Sequence, residues 1–350
     1  VLRLSLTARC NLACPYCLPD GVEPPGLLSL GQRVRVVEAA VALGAGRLRL
    51  TGGEPLLASG LEELIRAVSP SRSPAVAPSG GHGSGEGGAG LREISLTSNG
   101  ALLTAERARA LRASGLNRLT LSLDGATGEA VATMAGLPGG GAAGEALLAK
   151  VLAAIAHARA AGFDPARGEL KLNAVIQRGR NDDQLLPLAA LARERGVELR
   201  LIEFMDVGNR NGWRPEAVLS AAEMVERLGA RWPLEPLGRD PHATASRWLY
   251  RDGGGLVAVV ASVSAPFCGD CDRLRVTADG IAFTCLFATP ASGLDLRPWL
   301  QPGVPPEELR DALAGLWRAR ADRWSEERQA PRDPGAPPGP AHAEMAYLGG

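Results

Sequence analysis

Through the first two thirds of the chain, apolar residues come in short alternating bursts, and between the bursts they recur every three to four positions. The alternating segments, Leu2–Thr7, Leu48–Thr51, Glu93–Thr97, Leu119–Leu123, Lys171–Val175 and Leu199–Phe204, predict strands. The segments between them, about Leu30–Leu43, Leu61–Val68, Ala105–Ala113, Glu145–Ala161 and Asp183–Arg195, predict helices. Strands alternating with helices predict an α/β fold whose parallel sheet is closed by crossover helices. Six such units make an incomplete (β/α)6 barrel rather than a full eight-stranded one.

Two stretches break the pattern. Ser69–Gly90, rich in Ser, Gly and Pro, and the shorter Gly136–Gly144 read as flexible loops without a function of their own. After Phe204 the texture changes. A helix is expected near Ala221–Leu228, a strand at Leu256–Ser262, and a hairpin from Arg273–Thr277 to Ile281–Thr284 around Asp279-Gly280. A helix at about Pro306–Arg323 and a Pro-rich stretch, Pro331–Pro340, follow. The expected organisation is a barrel over 1–208, a smaller C-terminal domain over 209–330, and a tail over 331–350 ending in Gly349-Gly350.

Composition changes this picture little. The 350 residues are 45% hydrophobic, enough for a real core, and the formal net charge is zero. No global charge draws the chain to nucleic acid or an anionic membrane, and no apolar run is expected to span a bilayer. An anionic substrate must therefore be met by a local basic cluster. The chain opens at Val1 inside a strand-like stretch, which suggests a trimmed or processed domain.

The cysteines change it most. Cys10, Cys14 and Cys17 form a C-x3-C-x2-C trio just after the first strand; Cys268, Cys271 and Cys285 form a second. Together they account for all six cysteines, so none is left for a disulfide. Each trio lacks the fourth Cys or His of a closed zinc site, and His82, His157, His242 and His342 all lie outside both motifs. Three thiolates can hold a cubane iron–sulfur cluster and leave its fourth iron open, so two open [4Fe-4S] clusters are expected. Cysteines kept for clusters imply a reducing compartment, cytoplasm or mitochondrial matrix.

Further chemistry falls at the C-terminal ends of strands, where a barrel carries it. Gly52-Gly53-Glu54-Pro55 follows the second strand, Thr97-Ser98-Asn99-Gly100 the third, Ser122-Leu123-Asp124 the fourth, and Met205 the sixth. Arg3, Arg49, Lys171, Arg273 and Arg275 lie in or beside strands, and period-two spacing puts Arg273 and Arg275 on one face directly after Cys271. Buried arginines ask for an anion, and their forks suit phosphate.

With these residues in place, the chain resembles the GTP 3',8-cyclase family of molybdenum cofactor biosynthesis, within the radical S-adenosylmethionine (SAM) superfamily. The resemblance rests on Arg3 with Cys10, Cys14, Tyr16 and Cys17, on Arg49 to Pro55, Thr97 to Gly100 and Ser122 to Asp124. It continues through Lys171 to Gln177, Ile202 to Gly208, Cys268 to Arg275, Cys285 and the terminal Gly-Gly. It implies that the Cys10/Cys14/Cys17 cluster reduces SAM to a 5'-deoxyadenosyl radical, which takes the 3' hydrogen of GTP so that the sugar attacks C8 of guanine. It also implies that the Cys268/Cys271/Cys285 cluster holds guanine. SAM contacts fall on Tyr16, Gly53, Ser122 and Met205, and GTP contacts on Arg3, Arg49, Thr97, Lys171, Arg273 and Arg275. Catalytic parts fall on the first trio, Arg273, Arg275, Gly349 and Gly350, the Gly-Gly end reaching into the site.

Implied partners are GTP, a reduced ferredoxin or flavodoxin-type donor, cyclic pyranopterin monophosphate synthase as the next enzyme, and a second copy in a homodimer. The chain departs from the family pattern at Ala8, where an Asp is usual, at Ala58-Ser59, where a basic pair is usual, and at Met134–Gly141, which lacks an Arg. Two other readings share some features: a peptide maturase with an auxiliary cluster, and a non-catalytic iron–sulfur electron carrier. The first does not need the Arg pair after Cys271 or the Gly-Gly end, and the second leaves Gly52 to Pro55, Ser122 and Met205 on one rim unexplained.

Overall fold

The alternation read from the sequence builds a sheet with two unlike faces. The computed structural model describes residues 1–19, 21–69, 90–328 and 342–349. Most of the expected Ser69–Gly90 loop, the Pro-rich stretch and Gly350 lie outside the described residues. Six strands, β1 (Leu2–Ser5), β2 (Arg47–Thr51), β3 (Glu93–Ser98), β4 (Arg118–Ser122), β5 (Leu170–Ile176) and β6 (Glu198–Glu203), pair in parallel in chain order. Leu2, Leu4, Leu48, Leu50, Leu119 and Leu121 point to one face and are buried at 0–1% exposure under the crossover helices. Their polar neighbours in sequence point to the other face, into the barrel.

Helices α1 (Leu30–Ala42), α2 (Leu61–Val68), α3 (Ala105–Ser114), α4 (Gly128–Ala135), α5 (Gly140–Ala160) and α6 (Leu185–Glu194) cover the apolar face. Side-chain caps mark several starts: Ser29 with Gln32 forms a capping box on α1, and Thr104 and Thr127 cap α3 and α4.

The stretch 136–144 corrects an expectation. Gly136 closes α4 in a left-handed conformation (φ 63°), and residues from Gly140 onward are already α5. The glycines serve close packing: a Cβ on Gly144 would run into the carbonyl oxygen of Gly128, so the two helices approach backbone to backbone. By length and composition α5 could also cross a membrane, against the expectation that no run is long enough. Its Ala and Gly content hid this, and its Leu147, Val151, Ile155 face is buried in the core.

The C-terminal third joins the same sheet at both ends. The order is β12-β11-β10-β1-β2-β3-β4-β5-β6-β9-β8-β7, with β7 (Leu234–Gly238), β8 (Ser246–Tyr250), β9 (Leu256–Val260), β10 (Leu274–Val276), β11 (Ile281–Phe283) and β12 (Leu294–Asp295). Strand β10 runs parallel to β1 with Arg275 beside Arg3, and β9 runs parallel to β6. The expected hairpin is β10–β11, turned by Gly280 at φ 91°. Strands β7 and β8 add an antiparallel edge that the sequence pattern did not announce. Helices α7 (Ala221–Arg231), α8 (Pro306–Arg318), α9 (Trp324–Glu327) and α10 (Met345–Leu348) complete the described chain, so the long helix expected to Arg323 stops at Arg318.

Candidate functional site

One cavity of about 290 Å³ lies in the barrel interior, and both cysteine trios line it, the first beyond the C-terminal end of β1 and the second before the N-terminal end of β10. The first trio sits on the loop after β1, which is held from three sides. Glu23 accepts from Ala8 N (2.9 Å), Arg9 Nε (3.1 Å) and the Thr7 hydroxyl, supplying a carboxylate where Ala8 itself has none. The end of α4 docks on the same loop through Ala13 N to Ala135 O (3.1 Å), and a Cβ on Gly136 would strike Ala13 O. The stretch lacking the usual Arg is thus a buttress of the first trio.

The third hold is the Gly52-Gly53 turn. Gly53 N donates to Thr7 O and Glu54 N to Arg9 O, both at 2.8 Å, and a Cβ on Gly53 would run into Arg9 O. The double glycine therefore seats the cysteine loop's backbone as well as leaving room for a ligand. Glu54 is fully buried and accepts from Ser98 Oγ (2.9 Å), Asn99 N (2.7 Å) and Leu56 N (2.9 Å), tying the second and third rim loops together. Asn99 Nδ2 reaches Cys10 Sγ at 3.8 Å. Ala58 is buried in the core, where a basic side chain would have no partner.

Burial pushes the Cys17 thiol up to about 12 and Cys14 well above its ordinary value, with the neighbouring cysteines adding to the rise. Charged thiolates are held there only by a compensating cation, and metal binding displaces thiol protons. In the second trio burial likewise pushes Cys285 up to about 11, but at Cys271 the balance differs. Burial raises Cys271, but Arg273, whose Nε lies 3.1 Å from the sulfur, outweighs it and leaves the thiol below its usual range. Phe287 N donates to Cys285 Sγ at 3.4 Å, and Arg320 donates to Cys271 O. Among the described residues no three such side chains could hold a single metal ion. A cubane does not require that, since each thiolate takes its own iron. Two three-thiol faces, each supplied with N–H···S donors and lining a shared cavity, fit two such clusters.

Ion pairs line part of the barrel interior: Arg118–Glu93, Lys171–Glu198 at 2.7 Å and Arg47–Asp272 at 3.4 Å. Register sets Arg275, Arg3 and Arg49 side by side on three adjacent strands. Among the described residues, Arg3 and Arg49 have no hydrogen bond or ion pair. Burial, then Arg275 and Arg49, pushes the Arg3 guanidinium well below its ordinary value; burial and nearby arginines bring Arg49 down to about 9. An arginine does not lose its proton in a protein. These directions instead express an unmet demand for negative charge.

The expected SAM and GTP residues mostly converge. Tyr16, Gly53, Ser122, Met205, Arg3, Arg49, Thr97, Arg273 and Arg275 all line the cavity. Lys171 does not; it is turned to Glu198 beneath. Gly349 does not line it either; it packs against Thr51, and its carbonyl accepts from Arg275 Nη1 at 3.2 Å. The sequence reading missed Arg200 and Asn173 as cavity walls, and set Asp124 at the rim without giving it a role. Arg200 Nε stands 3.3 Å from Glu198 yet is not aligned for a hydrogen bond, and Asn173 Oδ1 and Thr97 Oγ1 are buried without partners. Asp124 accepts from Tyr16 Oη at 2.7 Å and Val175 N at 2.8 Å, and burial pushes its carboxyl up to about 6. Buried polar atoms left unpaired in a cavity are places where a ligand completes the bonding.

Comparisons with known proteins give the family. The Radical SAM superfamily matches residues 4–192, and the Molybdenum Cofactor Synthesis C family matches 197–326. A GTP 3',8-cyclase of Synechococcus sp. (strain CC9605) is 61% identical over 350 residues, covering 100% of this chain and 95% of the relative. One from Xanthomonas campestris pv. campestris (strain B100) is 44% identical over 335 residues, covering 93% of this chain and 89% of the relative. Among solved structures, Streptococcus suis SuiB bound to S-adenosylmethionine matches with a TM-score of 0.58 at 12% identity, over 88% of this chain and 67% of that one. Native anSMEcpe with bound AdoMet and Cp18Cys peptide matches at 0.53 and 16%, over 93% and 81%. At such low identity these two share the fold alone.

Proposed function

The chain belongs to the GTP 3',8-cyclases of the radical SAM superfamily, and from that premise we propose how its own residues divide the work. The reaction converts GTP to (8S)-3',8-cyclo-7,8-dihydroguanosine 5'-triphosphate, the first step of molybdenum cofactor biosynthesis, and the enzyme is a lyase. SAM and an iron–sulfur cluster are its cofactors. When bound, they supply the 5'-deoxyadenosyl radical that removes the 3' hydrogen.

In this reading Cys10, Cys14 and Cys17 hold the first cluster, and Cys268, Cys271 and Cys285 hold a second. Tyr16, Gly53, Ser122 and Met205 receive SAM along the rim. Arg3, Arg49, Arg275 and Arg200 receive the triphosphate, with Thr97 and Arg273 beside it, while Lys171 stays paired with Glu198 outside the cavity wall. GTP carries about four negative charges, which the clustered guanidiniums offset locally in a chain of zero net charge. Gly349 meets Arg275 through its backbone carbonyl alone, and the tail helps keep water from the radical. A ferredoxin- or flavodoxin-type donor, cyclic pyranopterin monophosphate synthase downstream, a homodimer and a cytoplasmic setting complete the proposal.

The observation that carries this reading is the Arg275–Arg3–Arg49 row, set between two cysteine trios that share a cavity. Anaerobic reconstitution with iron and sulfide, followed by SAM, a strong reductant and GTP, tests it. Two clusters per chain and a cyclised GTP product are expected. A single cluster, or SAM cleavage with GTP unchanged, would overturn the division of labour.

A further inference from the structure

The C-terminal segment 342–349 reaches both trios. The Ala346 N–H points at the Cys17 sulfur, and the Gly349 carbonyl accepts from Arg275. A segment spanning the cavity in this way must be held at a fixed register, because Gly349 itself has no side chain to anchor it. Its anchoring lies at the other end, on the turn after β6. Glu344 Oε1 accepts from Asn209 N at 3.2 Å and Arg210 Nε at 3.3 Å. Arg210 Nη2 also donates to Leu18 O, next to Cys17, at 2.7 Å. Asn209 pairs with the backbone of His342 in both directions, accepting at 2.8 Å and donating at 2.5 Å. Opposite Glu344 is Gly208 (φ 77°), where a Cβ would run into Glu344 Oε2.

We infer that Glu344 is a positioning residue, a carboxylate clasp that fixes the tail's register against the Gly208–Arg210 turn and the first cysteine loop. It touches no substrate. Its effect passes through the tail to the Gly349 carbonyl and Arg275, about one helical turn away along α10. The inference rests on the cyclase reading for its catalytic consequence, while the clasp itself is a matter of tail mobility. Because the clasp has two sides, it can be opened from either. Glu344→Ala removes the acceptor, and Gly208→Ala drives a methyl into it. Glu344→Gln keeps an oxygen for the Asn209 N–H and gives up only the charge facing Arg210.

The experiment pairs amide hydrogen exchange of the 342–349 peptide, read by mass spectrometry on the purified protein, with the ratio of cyclised GTP to 5'-deoxyadenosine in the reconstituted enzyme. We expect both alanine variants to speed exchange in the tail, where Ala343 N otherwise donates to Ala288 O. Iron content and 5'-deoxyadenosine formation should stay near wild type, while the coupling ratio falls about tenfold or more, as small misplacements of reacting groups do. Glu344→Gln should fall between, and the double variant should be no worse than the weaker single one, since both open the same contact. Unchanged tail exchange would overturn the clasp. So would faster exchange with normal coupling, or a parallel loss of iron and 5'-deoxyadenosine, which would make Glu344 a support of the first cluster. A wild-type enzyme that cleaves SAM without cyclising GTP would defeat the functional proposal instead, with tail exchange still deciding the clasp.

Discussion

Arg200 is the residue on which sequence and structure differ most usefully. It lies on β6, lines the cavity, and is pushed below its ordinary range by burial, with Glu198 opposing the shift. The signal was present: Glu198, Arg200 and Ile202 alternate with Leu199 and Leu201, so one period-two step from Glu198 points Arg200 inward. As a lone arginine it resembled a solvated side chain. Lys171 drew attention by its motif, yet its ammonium is spoken for by Glu198 at 2.7 Å. Charge-assisted hydrogen bonds contribute about 1.5–3 kcal/mol each. Arg200→Ala should therefore raise the Kd for GTP by roughly 10- to 100-fold and that for guanosine far less. Equilibrium binding of the two nucleosides checks this, and equal losses for both would place Arg200 away from the phosphates.

At the scale of elements, the six parallel strands and most crossover helices were legible because each pairs a clear period with a cap or a turn residue. Two things were not. Strands β7 and β8 carry Pro236 and a register shift between Pro236 and Gly238, which blur their alternation. The glycines of 136–144 suggested slack, whereas they let α4 and α5 touch. A matched pair of substitutions separates these readings. Gly144→Ala places a methyl against Gly128 O and should destabilise the fold by about 1–3 kcal/mol. Gly141→Ala meets nothing closer than 3.9 Å and should be neutral or stabilising by up to about 1 kcal/mol. Denaturant unfolding of the two variants reads this directly; equal effects would restore the flexible loop.

For the molecule as a whole, the sequence placed two cysteine trios roughly 250 residues apart and gave the chemistry of each. It could not show how they meet. That depends on β10 pairing with β1, a contact between the two ends of the chain that no local pattern encodes. The pairing sets the arginine row between the trios, with both trios lining one cavity. Their roles should then separate by mutation. Cys14→Ala should abolish 5'-deoxyadenosine formation. Cys285→Ala should lose about half of the bound iron and all cyclised product, with 5'-deoxyadenosine still detectable. Iron analysis and product chromatography check both, and loss of all iron from either variant would mean that the two sites do not load independently.

The central claim, that the first trio's chemistry is delivered to the ribose of a GTP held by the arginine row, is tested most directly with GTP deuterated at C3'. The reconstituted enzyme is given SAM and a strong reductant, and the 5'-deoxyadenosine formed is weighed by mass spectrometry. Deuterium in that product, accompanied by cyclised GTP, is the predicted result. Unlabelled 5'-deoxyadenosine alongside GTP recovered uncyclised with its deuterium would contradict it.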